Sequence, residues 1–269
     1  MDFLKPTYDS LKSIVVNRHL LYQFSLREVQ MQYRGSYLGV FWTLLNPLFM
    51  LAIYTFVFGY IFGGSFAGET PTEHALGIFV GLVIHNFISE IITIAPTLIS
   101  NNVTFVKKVV FPLEILVAAK LVASLITLAM KAIIIFIATL FLGHMVTINY
   151  IVIIPIALIL IVISFGIGLI FSSIGVFIRD LGNASHFLSM SLLFGSAIFY
   201  PVSKVPAEAW VYLKYNPLIY LIDGTRNILL WNESTPLNHF IIPSLSALLI
   251  LIIGSFSFQK LRPAFPDVI

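Results

Sequence analysis

His85 and Glu90 stand five residues apart in an apolar stretch, an arrangement that could relay a proton or begin a metal site. One imidazole and one carboxylate make an incomplete ligand set, so no metal centre is expected. Lys120 and Lys131 also lie in apolar sequence. Each intramembrane charge costs about 2.5–3.5 kcal/mol near a bilayer centre, so such residues mark function or pairing. Lys120 is close enough to one end of its run to snorkel, whereas Lys131 is not, and Glu90 is a candidate partner for it. Asp223 and Arg226, three apart, can pair on one helix. No phosphate-cradling loop, zinc helix or nucleophile elbow occurs. With no cysteine, thiolate chemistry and disulfides are excluded. Catalytic side chains are therefore not expected in this chain.

The aromatic residues offer a different chemistry, because sugar rings stack their C–H faces on aromatic rings. Tyr37, Phe41, Tyr54, Phe58 and Phe62 fall within an arc of about 140° at helical pitch. Phe187 and Phe194 form a second one-face pair. Ordinary interfacial or lipid-facing aromatics would give a similar pattern.

The elements that carry these residues are membrane spans. Of 269 residues, 59% are apolar and 10% charged, too little polar surface for a soluble domain of this length. Soluble enzymes, nucleic-acid binders and disordered chains are excluded on that ground. The apolar runs are continuous rather than alternating, which argues for helices and against a barrel. The expected fold is an all-α integral membrane protein forming one domain over 1–269. Six spans are placed at 39–62, 76–98, 114–142, 148–177, 184–201 and 237–259, the fifth being the shortest. Ten Lys/Arg fall on the side of the termini and three on the other, which predicts cytoplasmic termini. The first run follows a long amphipathic segment, so a removable leader is not expected.

Three further segments are neither spans nor short turns. Residues 8–34 predict an amphipathic helix lying in the headgroup plane, with Leu11, Ile14, Val15, Leu21, Phe24 and Val29 toward lipid. The loop at 99–113 predicts a short cytoplasmic helix capped by Ser100, Asn101 or Asn102 and stopped by Pro112. Its apolar face of Phe105, Val106, Val109 and Val110, flanked by Lys107 and Lys108, would receive a partner or rest on the chain's own helices. The external stretch at 202–236 predicts two short helices, one after Pro206 over 207–213 and one at 217–230 begun by Asn216-Pro217. Both are too apolar for a water-exposed hairpin and are expected to dip into the outer leaflet against the spans.

Several segments read together resemble one family. They are Tyr33-Arg34-Gly35-Ser36-Tyr37-Leu38-Gly39 with Trp42 and Asn46-Pro47; Val106-Lys107-Lys108 with Phe111-Pro112-Leu113-Glu114; Arg179-Asp180; and Tyr200-Pro201 through Val205-Pro206 to Asn216-Pro217-Leu218. The chain is similar to the permease subunit of polysaccharide-exporting ABC transporters of the ABC-2 type, a group with O-antigen, teichoic-acid and capsule exporters. The resemblance implies a homodimer in a bacterial plasma membrane, paired with two copies of a separate ATPase subunit that binds ATP and magnesium. It implies a lipid-linked polysaccharide as substrate, membrane lipids as neighbours and no nucleic acid. It assigns ATPase coupling to Asn101, Asn102, Phe105, Val106, Lys107, Lys108 and Phe111. The external gate falls to Tyr200, Pro201, Pro206, Asn216, Pro217, Asp223 and Arg226, and the conduit to the two aromatic sets. An integral-membrane enzyme acting on lipid-linked sugars would need a cluster of carboxylates or histidines, and Asp180 alone does not make one. A lipid- or drug-exporting permease of the same superfamily would differ only in cargo.

Overall fold

A computed structural model describes residues 5–33, 37–61, 70–107 and 111–269, and every regular element among them is helical. Phe62 and Lys108, and Arg34, Gly35, Ser36, Val109 and Val110 with them, lie outside the described residues.

The expected amphipathic helix is two helices, α1 (Lys5–Val16) and α2 (Arg18–Tyr33). They part at Asn17, whose side-chain amide donates to the Ser13 carbonyl at 2.8 Å and so competes with the helical ladder. Ile14, Leu21 and Phe24 pack against the core, whereas Leu11 and Val15 are exposed. The apolar stripe expected on one face thus splits between the protein and its surroundings.

Five helices among the described residues are long and apolar enough to cross a membrane. The first is α3 (Trp42–Tyr54), entered through a 3-10 turn and prolonged by a wide π turn over Thr55–Ile61. The second, α4 (Pro71–Leu98), starts five residues before its expected boundary. Thr70 and Glu73 form a reciprocal capping box there, with Pro71 in the first turn. After a 3-10 turn at Ser100–Asn102 comes the single-turn α5 (Val103–Val106), followed by α6 (Glu114–Phe141). Helix α7 (Ile153–Gly175), led by the 3-10 turn Ile148–Val152, is the fourth crossing element.

The run expected as a fifth span, 184–201, is instead the 15-residue α8 (Leu181–Gly195). At 1.5 Å per residue it extends about 22 Å, short of a hydrocarbon core of roughly 30 Å. It stops at Gly195 because the backbone turns there: Ala197 takes a left-handed conformation (φ 53°) and Pro201 is extended. The two helices expected next are present as α9 (Ala207–Leu213) and α10 (Pro217–Leu230), the latter capped by Asn216, whose side-chain oxygen accepts from Leu218 N–H at 3.0 Å. Helix α10 is buried as expected. Helix α9 has no buried residue and exposes Val211 and Tyr212, so only one of the two packs into the bundle. Helix α11 (Ile241–Leu261) supplies the fifth crossing element, and α12 (Phe265–Val268) follows it.

The core centres on α4, whose residues from His74 to Ile88 are nearly all buried among α6, α7, α8 and α10. The most extensive pair is α7 with α11. Two glycines meet there: a Cβ on Gly254 would stand 2.4 Å from the Gly166 carbonyl oxygen. Backbones come this close only where small residues line the contact, a common device where lipid leaves little hydrophobic drive for helix association.

Candidate functional site

The chemistry-bearing side chains collect at two levels. The first is a cavity of about 500 Å³ between α3, α4, α6 and the far end of α8. Asn46 and Tyr54 reach it from α3, His85 and Asn86 from α4, Lys131 from α6 and Leu193 from α8. Asn46 sits at the Asn-Pro step of α3, and Pro47 leaves one helical hydrogen bond unmade. Asn46 and Asn86 are exposed on the outer face of long apolar helices. Amides there would be costly against lipid. This face therefore belongs against water, a second copy or cargo.

Ion pairing around the cavity differs from expectation. Glu90 pairs with Lys120 at 2.6 Å, not with Lys131. Lys120 does not snorkel outward; it is 9% exposed and held between α4 and α6. His85 Nε2 meets the Ser189 carbonyl oxygen at 3.0 Å, and the hydroxyls of Ser89 and Ser189 pair beside it, so these groups join α4 to α8. Among the described residues no three His, Asp or Glu side chains gather as a metal site.

The aromatic stripe is divided. Tyr54 and Phe58 are half-buried with ring centroids 5.9 Å apart, and Phe58 stacks on Phe199 at 5.6 Å. Phe199 in turn touches Phe194 at 6.1 Å, and Tyr200 donates its hydroxyl to the Phe194 carbonyl at 2.7 Å. These rings form a joint between the π turn of α3 and the end of α8. Tyr37, Phe41 and Phe187 are exposed. Sequence reasoning missed Phe199, Asn46 and Asn86. The two asparagines were legible as polar residues within apolar runs.

Arg226 dominates the end of the bundle where α10 and the turn after α8 meet α4. Its guanidinium is 3% exposed and donates to the carbonyls of Gly77, Ala197 and Ile198 at 2.7, 2.9 and 2.5 Å. It fixes the turn between α8 and α9 to α4. Asp223 still lies within electrostatic reach of Arg226, and its Oδ2 stands 3.8 Å from His239 Nε2. Asn216 donates to the Gly195 carbonyl at 2.9 Å and the Ser196 hydroxyl at 3.0 Å, so it holds the same turn from the other side. Pro201 and Pro206 flank the short 3-10 turn Val202–Lys204, and Pro217 opens α10.

The second level lies between α4 and α6. Asn102 stands at the start of α5, but its side-chain amide donates back to the Leu98 carbonyl at 2.8 Å instead of capping. Phe105 is not a free docking residue. It packs with Phe24 of α2 and with Phe111, ring centroids 5.0 and 4.9 Å apart, with the Arg27 guanidinium 6.0 Å above the Phe105 ring. Val106 is buried. An apolar face on a single turn has too little area to stand in water, so it covers itself with α2. The outward side of the segment is polar: Asn101, Thr104 and Lys107 are exposed. Just beyond, the wholly buried Glu114 accepts from Gln259 at 2.6 Å and Arg262 at 2.9 Å, while Arg262 also donates to the Phe111 carbonyl at 3.2 Å. The segment is thus tied to α2, α6 and α11 together.

Comparison with known proteins bears on this arrangement. The family profile described as ABC-2 type transporter matches residues 19–230. The chain is 27% identical over 228 residues to the polysialic acid transport protein KpsM of Escherichia coli, covering 84% of this chain and 88% of that protein. It is 23% identical over 269 residues to the O-antigen export system permease protein RfbA of Klebsiella pneumoniae, covering 96% and 100% respectively. A Myxococcus xanthus protein of the same name is 25% identical over 213 residues, covering 78% of this chain and 80% of that protein. With its profile spanning most of the length and its helices long enough to cross a bilayer, the chain belongs to the ABC-2 type transporter family.

Proposed function

We propose that the chain is the permease subunit of an ATP-driven exporter that carries a lipid-linked polysaccharide out across a bacterial plasma membrane. The observation that carries this reading is the cavity lined by Asn46, Asn86 and Lys131 between long apolar helices, in a family member whose relatives are named for polysialic acid transport and O-antigen export. In this reading two copies face each other across their exposed α3 and α8 surfaces, where Tyr37, Phe41, Phe187 and Phe194 lie exposed. Polar amides and ring faces suit a moving carbohydrate, because they offer hydrogen bonds and stacking without one deep binding minimum.

The termini and the 99–113 segment lie in the cytoplasm, following the charge bias. Helix α8, with the turn after it, completes a sixth crossing; α10 dips back into the outer leaflet, and α9 lies at its surface. A separate ATPase subunit, which supplies ATP and magnesium chemistry, grips the polar side of the 99–113 segment in each copy. ATP binding closes that ATPase pair and moves the segment. The aromatic cluster of Phe24, Phe105 and Phe111 passes the displacement to α2, and the Glu114–Arg262 bridge passes it to α6 and α11. The permease is then a two-state element biased by nucleotide.

Two expected outcomes follow from this geometry. Lys107→Glu reverses an exposed charge and should weaken ATPase binding about tenfold with unchanged melting of the permease. Phe105→Asp, which breaks the internal cluster, should abolish export and lower melting as well, while membrane insertion persists. Binding and thermal unfolding of both variants in detergent check the distinction. In the conduit, Tyr54→Ala and Phe58→Ala should slow export several-fold, whereas Phe49→Ala, exposed on α3, should not. Equal export rates in the three would remove the aromatic joint from the transport path.

Deleting the gene tests the overall reading. Lipid-linked glycan should accumulate inside the cell and disappear from its surface, and the wild-type gene should restore it. Normal surface glycan with a missing lipid or drug efflux would move the assignment to that cargo.

A further inference from the structure

We infer that Lys131 forms an oxyanion subsite, which binds a phosphoryl or carboxylate group of the passing substrate in the cavity between α3, α4 and α6. The inference rests on the proposed export function and names the chemistry of its cargo.

Lys131 lies ten residues before the end of α6, about 15 Å from that end at helical rise, and lines the 500 Å³ cavity. Among the described residues, no hydrogen bond or ion pair within 4 Å reaches its ammonium. The neighbouring carboxylate, Glu90, is held by Lys120 at 2.6 Å, so its charge is already matched. Lys131 still feels the Glu90 carboxylate, yet no partner touches its ammonium, at a depth where each ion is costly. A cation in that position persists only if something anionic or aqueous meets it.

The surroundings are built to receive such a group. Asn46 and Asn86 bring amide donors to the same space, and Tyr54 brings a hydroxyl. His85, 4% exposed, lines the cavity too, and its Nδ1 is buried with no partner. With Nε2–H donating to the Ser189 carbonyl, the neutral ring leaves Nδ1 an acceptor, so His85 shapes the cavity wall and does not itself donate to the anion. No Asp or Glu lines the cavity itself, and Glu90, which shares a smaller neighbouring space with Lys131, has its charge matched by Lys120. Two amides and a hydroxyl alone would suit any sugar, but the unpaired ammonium selects a charged group. A phosphoryl group linking glycan to lipid and a carboxylate on the sugars share that chemistry.

The test uses the full chain in nanodiscs of neutral lipid. Farnesyl pyrophosphate is compared with farnesol, and a carboxylated oligosaccharide with a neutral one of equal length. The wild-type chain should bind at least one anionic probe about tenfold more tightly than its neutral counterpart. Lys131→Gln should erase the difference, and Lys131→Arg, which keeps the charge, should preserve most of it. The probe that shows the difference identifies the source of the anion. Equal binding of charged and neutral probes by the wild-type chain, or an undiminished difference in a folded Lys131→Gln, overturns the subsite. Displacement of both probes by phosphatidylglycerol at membrane abundance also overturns it, since the ligand would then be a bilayer headgroup. Surface glycan in cells carrying the wild-type gene is scored separately. Its loss of dependence on the gene would sink the export reading while leaving the anion measurement intact.

Discussion

Replacing Arg226 with methionine is expected to lower stability by about 3 kcal/mol and to free the turn between α8 and α9. The guanidinium holds three backbone carbonyls, on Gly77, Ala197 and Ile198. Hydrogen bonds from a charged donor contribute about 1.5–3 kcal/mol each. The gain from no longer burying a cation offsets part of that loss, which brings the net figure down to a few kcal/mol. Ala197 sits in a left-handed conformation that a residue with a Cβ rarely adopts, so the turn depends on this outside support. Lysine should rescue only part of the loss, because one ammonium cannot fork to three carbonyls. Gly81 leaves room for the side chain: a Cβ there would stand 2.9 Å from Arg226 Nη2. Gly81→Ala should therefore weaken the same turn. Thermal unfolding in detergent and the rate of proteolysis within 195–206 measure both effects. Lys204→Met, an exposed cation in the same loop, is the control that should leave both unchanged.

Gly254→Leu should be more damaging still, leaving little folded protein. A Cβ at 254 would lie 2.4 Å from the Gly166 carbonyl oxygen, and one at 166 would lie 2.8 Å from the backbone of Ile250 and Leu251. Neither obstacle is the mobile tip of a side chain. The two helices must separate along the largest contact in the bundle, with loss of the packing that holds the fourth and fifth crossing elements together. Overpacked cores usually cost about 1–3 kcal/mol. Here backbone meets backbone, and the disturbance spreads along both helices. Gly254→Ala should give a milder version of the same defect. Monodisperse yield after detergent extraction distinguishes them: near zero for leucine, reduced for alanine. Wild-type yield for Gly254→Leu would mean that α7 and α11 do not meet as described.

The crossing helices were legible because lipid imposes a simple rule, a long apolar run, and Glu114–Phe141 matches its expected limits to one residue. Local chemistry made α10 equally legible through Asn216-Pro217. The start of α4 was missed although Thr70, Pro71 and Glu73 spell a capping box, because the hydropathy run began later. At α8 the same reading set the helix end six residues too late, at 201 and not Gly195. The apolar run continues past Gly195, and nothing in composition says that Arg226, thirty-one residues on, will capture the backbone there. Pairings between distant elements were hidden for a related reason. Glu90 has two lysines within reach by helical depth, and only packing selects Lys120 over Lys131. Phe105 looked exposed when considered alone, since its cover comes from Phe24, eighty-one residues earlier.

The two levels of the molecule support one account. At one level Phe105, Phe111 and Glu114 are bound to three helices, while Asn101, Thr104 and Lys107 are exposed. A cavity higher in the same bundle holds amides, a phenol and an ammonium. Helices α4 and α6 run through both levels and are pinned together by the Glu90–Lys120 pair.

The most direct test is transport in proteoliposomes that contain this chain with or without the proposed ATPase subunit, using a radiolabelled lipid-linked glycan. The account predicts glycan movement only when both proteins and ATP with magnesium are present, with the glycan chemically unaltered and Lys107→Glu reducing the rate. Movement or cleavage of the glycan by this chain alone, or an ATPase that neither binds nor drives it, would contradict the account.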